Sequence, residues 1–401
     1  MTISKSIDVL VIGAGPAGVA AAFSARRAGL SVCIVDQHNF PRDKVCGDAL
    51  IPDALAALLR MDALEKVLRV ARVSQLVTVS APNGRDVGIA GRVAVLPRRE
   101  LDSLLLDHAV NEGVEFRPNL RFVVPIQING RVEGAQFRSL NSDKRVDIKA
   151  RWTVLATGAT AQPLISSGLS QSMHTGIALR AYVKLPDAQQ SEIFRISFMR
   201  EICPGYGWIF PGPNNVYNVG VGYFLDSRRK PFSENLRDIW DAFIKGYTPA
   251  TKLFHDGKLL GDPKGAPLRT GLRGSKRSRL GMLVCGEAIG TTYAFSGEGL
   301  GKALETGLLA GEVIAEHVVG RLVAAEPEYE HRVDSLYAEQ FRAYDLAQAW
   351  LSYPWLCDVV ALAAHHRPGL QRKLADILAE RSTPREIFSA SGVLQAMLGK
   401  S

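Results

Sequence analysis

The chain has 401 residues, 47% of them hydrophobic, and carries 48 Lys and Arg against 40 Asp and Glu, a formal net charge of +8. That length and apolar content allow a large core shared by two or three subdomains and exclude a disordered or fibrous chain. The basic residues form no long block with interleaved aromatics, which argues against nucleic acid, and no apolar run reaches about eighteen unbroken residues, which argues against a membrane-spanning helix.

From the start, Met1 to Asp8 shows no basic segment ahead of an apolar one, so no export signal is expected. The apolar run Val9 to Ile12 predicts a buried strand that breaks into Gly13, Ala14, Gly15, Pro16, Ala17 and Gly18, followed by a small-residue helix ending near Gly29. Glycines remove every Cβ where a backbone must turn and approach a pyrophosphate, and the helix aims its free N–H groups at that anion. A second strand, Val32 to Val35, leads to Asp36 and Gln37. The Asp36 carboxylate suits a ribose hydroxyl pair and disfavours a 2′-phosphate. This unit is a dinucleotide cradle that fits NAD or FAD equally.

The loop Asn39 to Gly47 leads into a helix expected from about Pro52 to Arg60, with Leu55, Leu58 and Leu59 on one face. A further helix is expected to open at Arg99. From Val114 to Val154 short alternating strands surround the turn Asn129-Gly130, predicting a three-stranded meander. Ile177 to Leu272 reads as a sheet with one helix around Leu236 to Tyr247. The chain returns through the strand at Gly281 to Cys285, Gly286 and Glu287, then the loop Ser296 to Gly301 and a helix to about Val319. Beyond Arg321 only helices are expected. Leu346 to Ala364, with Trp350, Tyr353 and Trp355, reads as a helix pair broken by Pro354, or alternatively as an interfacial anchor. Cys33, Cys46, Cys203, Cys285 and Cys357 lack metal or disulfide spacing and fit a reducing, cytoplasmic setting.

Five ordered motifs stand out: Gly13 to Gly18 with Asp36; Pro41-Arg42-x-Lys44-x-Cys46-Gly47; Arg99 with Asp102; Tyr206-x-Trp208-x-Phe210-Pro211 followed by Asn218 to Gly222; and Gly286-Glu287 with Gly297-x-Gly299. Together they resemble the FAD-dependent oxidoreductases built like p-hydroxybenzoate hydroxylase, closest to the geranylgeranyl reductases and related to flavin-dependent monooxygenases and halogenases. The resemblance covers nearly the whole chain. It implies a mixed α/β fold: a discontinuous Rossmann-like FAD domain (1–65, 97–176 and 278–320), an antiparallel-sheet substrate domain (66–96 and 177–277) and a C-terminal helical region (321–401).

The resemblance also assigns roles. FAD would be held by the glycine cradle, Asp36, Gln37, Lys44, Cys46, Gly47, Arg99, Gly158, Glu287, Gly297, Gly299 and Leu300. N–H groups near Gly297 would face the flavin N1/O2 edge, where charge builds on reduction. Glu287 stands where the family usually carries aspartate. Cys46 would reach the active face as a proton donor, and Tyr206 and Trp208 would line the substrate cavity. His174 and Tyr217 are further proton-donor candidates by position. The basic loop Arg269, Arg273, Lys276, Arg277 and Arg279 would steer an anion or remain solvated.

Two departures reshape the expectation. Thr157-Gly158-Ala159-Thr160 replaces the Asp-Gly motif of nicotinamide-dependent hydroxylases, and Ala294-Phe295-Ser296 lacks the family's proline. The leading reading is double-bond reduction of an apolar isoprenoid-like or polyketide-like substrate, with NAD(P)H or an electron-donor protein as reductant. A monooxygenase, a halogenase, a non-catalytic flavin electron carrier and a plain NAD dehydrogenase are the alternatives. Peripheral contact with a membrane stays open.

Overall fold

The computed structural model describes residues 7–169, 175–186, 193–224, 235–351 and 353–389. Its first sheet is built on parallel strands in the order Met282–Val284, Arg145–Leu155, Ile7–Ile12, Val32–Val35, Glu115–Arg117. The central strands are buried on both faces, which explains why they read as continuous apolar runs rather than alternating ones. The strands Leu120–Ile128, Arg131–Ser139 and Arg145–Leu155 form the expected meander.

Helix Pro16–Arg27 follows the first strand, with Pro16 in its first turn, where a missing N–H costs nothing. Its closeness to the strand is set by glycine: a Cβ on Gly18 would stand 1.8 Å from the Gly13 carbonyl oxygen. Helix Leu300–Val318 lies alongside, and a Cβ on Gly307 would stand 2.2 Å from the Ala17 carbonyl oxygen.

The second sheet runs Lys258–Leu259, Gly176–Lys184, Val216–Phe224, Tyr206–Pro211, Phe194–Ser197, Arg72–Ser80, Asp86–Val95, Ala49–Leu50. It is antiparallel except where Phe194–Ser197 pairs parallel with Arg72–Ser80. That strand arrives from a distant part of the chain, and a long connection permits either direction. Helix Leu236–Gly246 covers one face of this sheet, where Phe243 lies against Gly207. A second helix, Thr248–Asp256, follows at once; its Pro249 begins a new helix after the break at Tyr247.

Helices Ala325–Leu351, Pro354–His366 and Pro368–Leu378 close the C-terminal part, with Pro354 separating the first two. In helix Pro52–Arg60, Leu55 and Leu58 are buried but Leu59 is 62% exposed. One residue turns a helix by about 100°, which carries Leu59 off the face of Leu58. Among the described residues, no helix is long and apolar enough to cross a membrane.

Candidate functional site

Between the two sheets lies one long cavity of about 630 Å³, with the glycine cradle at one end and an aromatic wall at the other. Gly13, Gly15, Pro16 and Ala17 line the first end. Ala14 and Gly18 do not line it; Ala14 donates its N–H to Asp36 Oδ2 at 2.8 Å, and Gly18 sets the strand–helix approach. Burial pushes the Asp36 carboxyl up, but hydrogen bonds from His38 and Ala14 with the Arg42 charge outweigh it and hold the group below its usual value. It stays an acceptor.

The loop 38–48 runs along the cavity and is held by buried charge. Arg42 pairs with Asp102 at 2.8 Å, and Arg98 grips the same carboxylate twice, at 2.6 and 2.7 Å. Burial alone would lower Arg98, yet Asp102 more than offsets it and keeps the guanidinium charged. Arg42 Nη1 is buried without a hydrogen-bond partner, on a side chain that lines the cavity and lies over Gly15. An orphaned guanidinium N–H above a glycine turn fits a pyrophosphate.

Asp48 closes this loop. Fully buried, with φ at +65, it accepts from Arg98 N–H at 3.1 Å, Tyr182 O–H at 2.6 Å and Asn218 Nδ2 at 2.7 Å. Burial raises its pKa to about 6, against the pull of Tyr182 and Asn218. Asn218 also donates to the Cys46 carbonyl at 2.8 Å and accepts from Trp208 Nε1 at 2.9 Å. One polar chain therefore ties the aromatic wall to the Cys46 loop. The Cys46 thiol lines the cavity beside Arg98; burial pushes its pKa up, only partly countered by that charge.

Tyr206, Trp208 and Phe210 share the cavity face of their strand, joined by Phe194 stacked on Phe210 at 3.8 Å and by Phe224. Trp208 lies flat over Gly220, where a Cβ would stand 2.1 Å from its ring. The Tyr206 hydroxyl donates to the Ser296 carbonyl at 2.5 Å and packs on Gly297, whose φ of +65 and lack of a Cβ permit that approach. Gly297, Glu298, Gly299 and Leu300 line the cavity here, with Glu287 on its wall accepting the Arg269 N–H at 3.3 Å.

Gln37, Lys44, Gly47 and Gly158 also line the cavity. Arg99 does not: it is exposed, and its neighbour Arg98 takes the buried place, a one-residue correction caused by helical rotation. Tyr217 faces the opposite side of the sheet, in the core under helix Leu236–Gly246, and His174 lies outside the described residues. In the basic loop, Arg277 pairs with Asp334 at 2.7 Å and Arg279 donates to the Ser167 carbonyl at 2.6 Å, so both are bound to the protein itself. Sequence reasoning missed Asp48 and Arg98, and placed Asn218 in a motif without giving it a role. Only Arg98 had a local signal, its i,i+4 spacing from Asp102.

The FAD binding domain family matches residues 6–191. Menaquinone reductase of Mycolicibacterium smegmatis is 30% identical over 340 residues, covering 80% of this chain and 79% of that one. The chain belongs to the geranylgeranyl reductase-like FAD-dependent oxidoreductases. Digeranylgeranylglycerophospholipid reductase of Methanoculleus marisnigri is 28% identical over 333 residues, covering 78% and 77%. In fold, it resembles a geranylgeranyl bacteriochlorophyll reductase-like protein of Thermoplasma acidophilum, with TM-score 0.76, 20% identity and coverage of 98% and 96%. The protein is thus an FAD-dependent oxidoreductase, and the cradle with its orphaned Arg42 suits that cofactor.

Proposed function

We propose that the protein reduces a carbon–carbon double bond in an isoprenoid-like substrate. The observation that carries this is the far end of the cavity, where Tyr206, Trp208, Phe210, Phe194, Ile196, Val77 and Leu378 leave a largely apolar space suited to a chain or ring. The relatives named above are reductases of menaquinone and of a digeranylgeranyl lipid.

The cradle residues, with Gln37, Lys44, Gly47, Gly158 and Glu287, would hold the cofactor, Asp36 its ribose hydroxyls and Arg42 its pyrophosphate. N–H groups at Gly297, Gly299 and Leu300 would meet its far edge. Reduced FAD supplies a hydride when bound. The second hydrogen arrives as a proton, and Cys46 suits its delivery because burial keeps the thiol protonated at neutral pH. The Trp208–Asn218–Asp48 chain would orient both the wall and that loop, and the apolar wall would exclude water.

The test reduces the protein chemically under argon, so that no natural donor is needed, and offers menaquinone and a geranylgeranyl lipid. A product that keeps two extra hydrogens in its prenyl chain after reoxidation in air, read by mass spectrometry, supports the proposal, since a quinone ring reduced only to the quinol returns to its starting mass. No such product, with an oxygen adduct of the flavin in air when substrate is present, would overturn it in favour of an oxygenase.

A peripheral membrane contact fits the same reading. Just before and along helix Pro354–His366, Tyr353 is 57% exposed, Trp355 55% and Leu362 46%, the residue types that settle at a lipid interface. Flotation with anionic liposomes, lost on Trp355→Ala, is the expected result; protein that stays at the bottom of the gradient removes this part.

A further inference from the structure

Behind the glycine loop, four carboxylates surround one ammonium. Lys302 Nζ lies 2.6 Å from Glu380 Oε2, 2.8 Å from Glu305 Oε2 and 3.2 Å from Asp53 Oδ2, and the Glu298 carboxyl stands nearby on the cavity wall. The groups come from five segments: Asp53 from helix Pro52–Arg60, Glu298 and Tyr293 from the glycine loop, Lys302 and Glu305 from helix Leu300–Val318, Tyr337 and Tyr344 from helix Ala325–Leu351, and Glu380 beyond Pro368–Leu378. Among the described residues, no group of His, Cys, Asp and Glu is arranged to hold a metal ion.

One buried cation cannot balance four carboxylates set largely out of water, Asp53 fully and Glu298, Glu305 and Glu380 in part, because ionised carboxylates without partners are costly to desolvate. Some of them must hold protons. The hydrogen bonding agrees: Glu298 Oε1 accepts the Gly301 N–H at 2.9 Å, while Glu298 Oε2 and Glu380 Oε1 are buried without a hydrogen-bond partner. Burial raises Asp53 to about 7 against the pull of Lys302, and raises Glu298 well above its usual value. The cluster also has a direction. The Lys302 and Asp53 side chains are 3% and 2% exposed, those of Glu305 and Glu380 18% and 16%, and Glu298 opens onto the cavity.

We propose that this cluster stores a proton, and that Glu298 passes it to the glycine-loop end of the cavity when negative charge develops there. The inference rests on FAD binding and not on the identity of the substrate. Bound FAD would need two electrons and one proton to reach its reduced anion. The electrons would come singly from a reductase protein; a reduced nicotinamide brings its own hydrogen as hydride and draws no proton from the cluster. The Glu298 carboxyl O–H breaks to supply the proton, and the carboxylate left behind is reprotonated from solvent through the Glu305 and Glu380 side.

The experiment is infrared difference spectroscopy of the purified, FAD-loaded protein, reduced by light in H2O and in D2O. The expected result is loss of a protonated-carboxyl C=O band on reduction, shifted down in D2O and absent from Glu298→Gln. A wild-type spectrum without that band, or the same band in Glu298→Gln, overturns the proposal. Should Glu298→Gln lose its flavin, Glu380→Gln carries the test: the band must change frequency, and an unchanged band overturns the proposal. A wild-type preparation that holds no FAD would instead overturn the cofactor assignment itself, and the inference with it.

Discussion

The glycine end of the cavity is built from backbone amides and missing side chains, whereas the aromatic end is built from side chains gathered from several strands and held by a buried polar network. The first surface is made by neighbours in the chain and, at Gly13 and Gly18, tolerates no added atom. The second is made by distant residues and can be retuned by moving one ring. Damage at the cradle should therefore remove the cofactor, while damage at the wall should change what the loaded enzyme accepts.

The largest test of this contrast is Gly18→Val. A Cβ 1.8 Å from the Gly13 carbonyl cannot be relieved by a rotamer, so the cost should exceed about 4 kcal/mol and no yellow soluble protein should be recovered. A normal flavin absorbance would break the comparison. Next, Cys46→Ala should lower kcat by roughly 100-fold while the flavin spectrum and FAD affinity hold, the size expected for a lost general acid. Unchanged turnover would remove the thiol from the chemistry.

Asp48→Ala strands three buried donors and should cost about 3 kcal/mol in urea unfolding, since each unsatisfied group costs about 1–3 kcal/mol. Its folded pKa of about 6 lies above the roughly 3.9 of an unfolded aspartate. Its proton-linked stability is thus complete below that lower value and is lost as pH rises to about 6. Asp48→Asn should flatten this part of the stability profile; an unaltered slope would show that Asp48 does not titrate there.

Gly222→Ala sharpens the wall side. Its Cβ would stand in ordinary contact, 3.7 Å from the Trp208 and Phe224 rings on the cavity lining, so KM should rise roughly tenfold, the effect of one methyl in a pocket, with FAD affinity unmoved. The smallest effect separates two neighbours: Arg99→Ala should alter stability by less than about 0.5 kcal/mol, as exposed substitutions do. Arg98→Ala, which strips Asp102 of its bidentate partner, should measurably weaken FAD binding. Equal effects from the two would return the site to Arg99.

The cradle was legible because its strand, turn, helix and acid are contiguous, and local geometry dictates their contacts. The return strand at Met282–Val284 and the loop at Gly297 were legible for the same reason. Arg98 was missed by one position, although its spacing from Asp102 marks it as the residue on the buried face. Asp48 was not legible at all: Tyr182 and Asn218 lie 134 and 170 residues further along the chain. The Lys302 cluster was hidden likewise, since Asp53 and Glu380 look like ordinary helix-terminal acids until packing buries them together.

Order along the chain was enough to specify a dinucleotide cradle, the elements around it and the family, because those depend on backbone conformation and nearest neighbours. Folding alone decided which arginine faces the cavity, which carboxylates lose their water and how the tryptophan is tied to the cysteine loop. Burial and partnership are properties of groups far apart in sequence, and a charge acquires its chemistry only when the remainder of the chain closes over it.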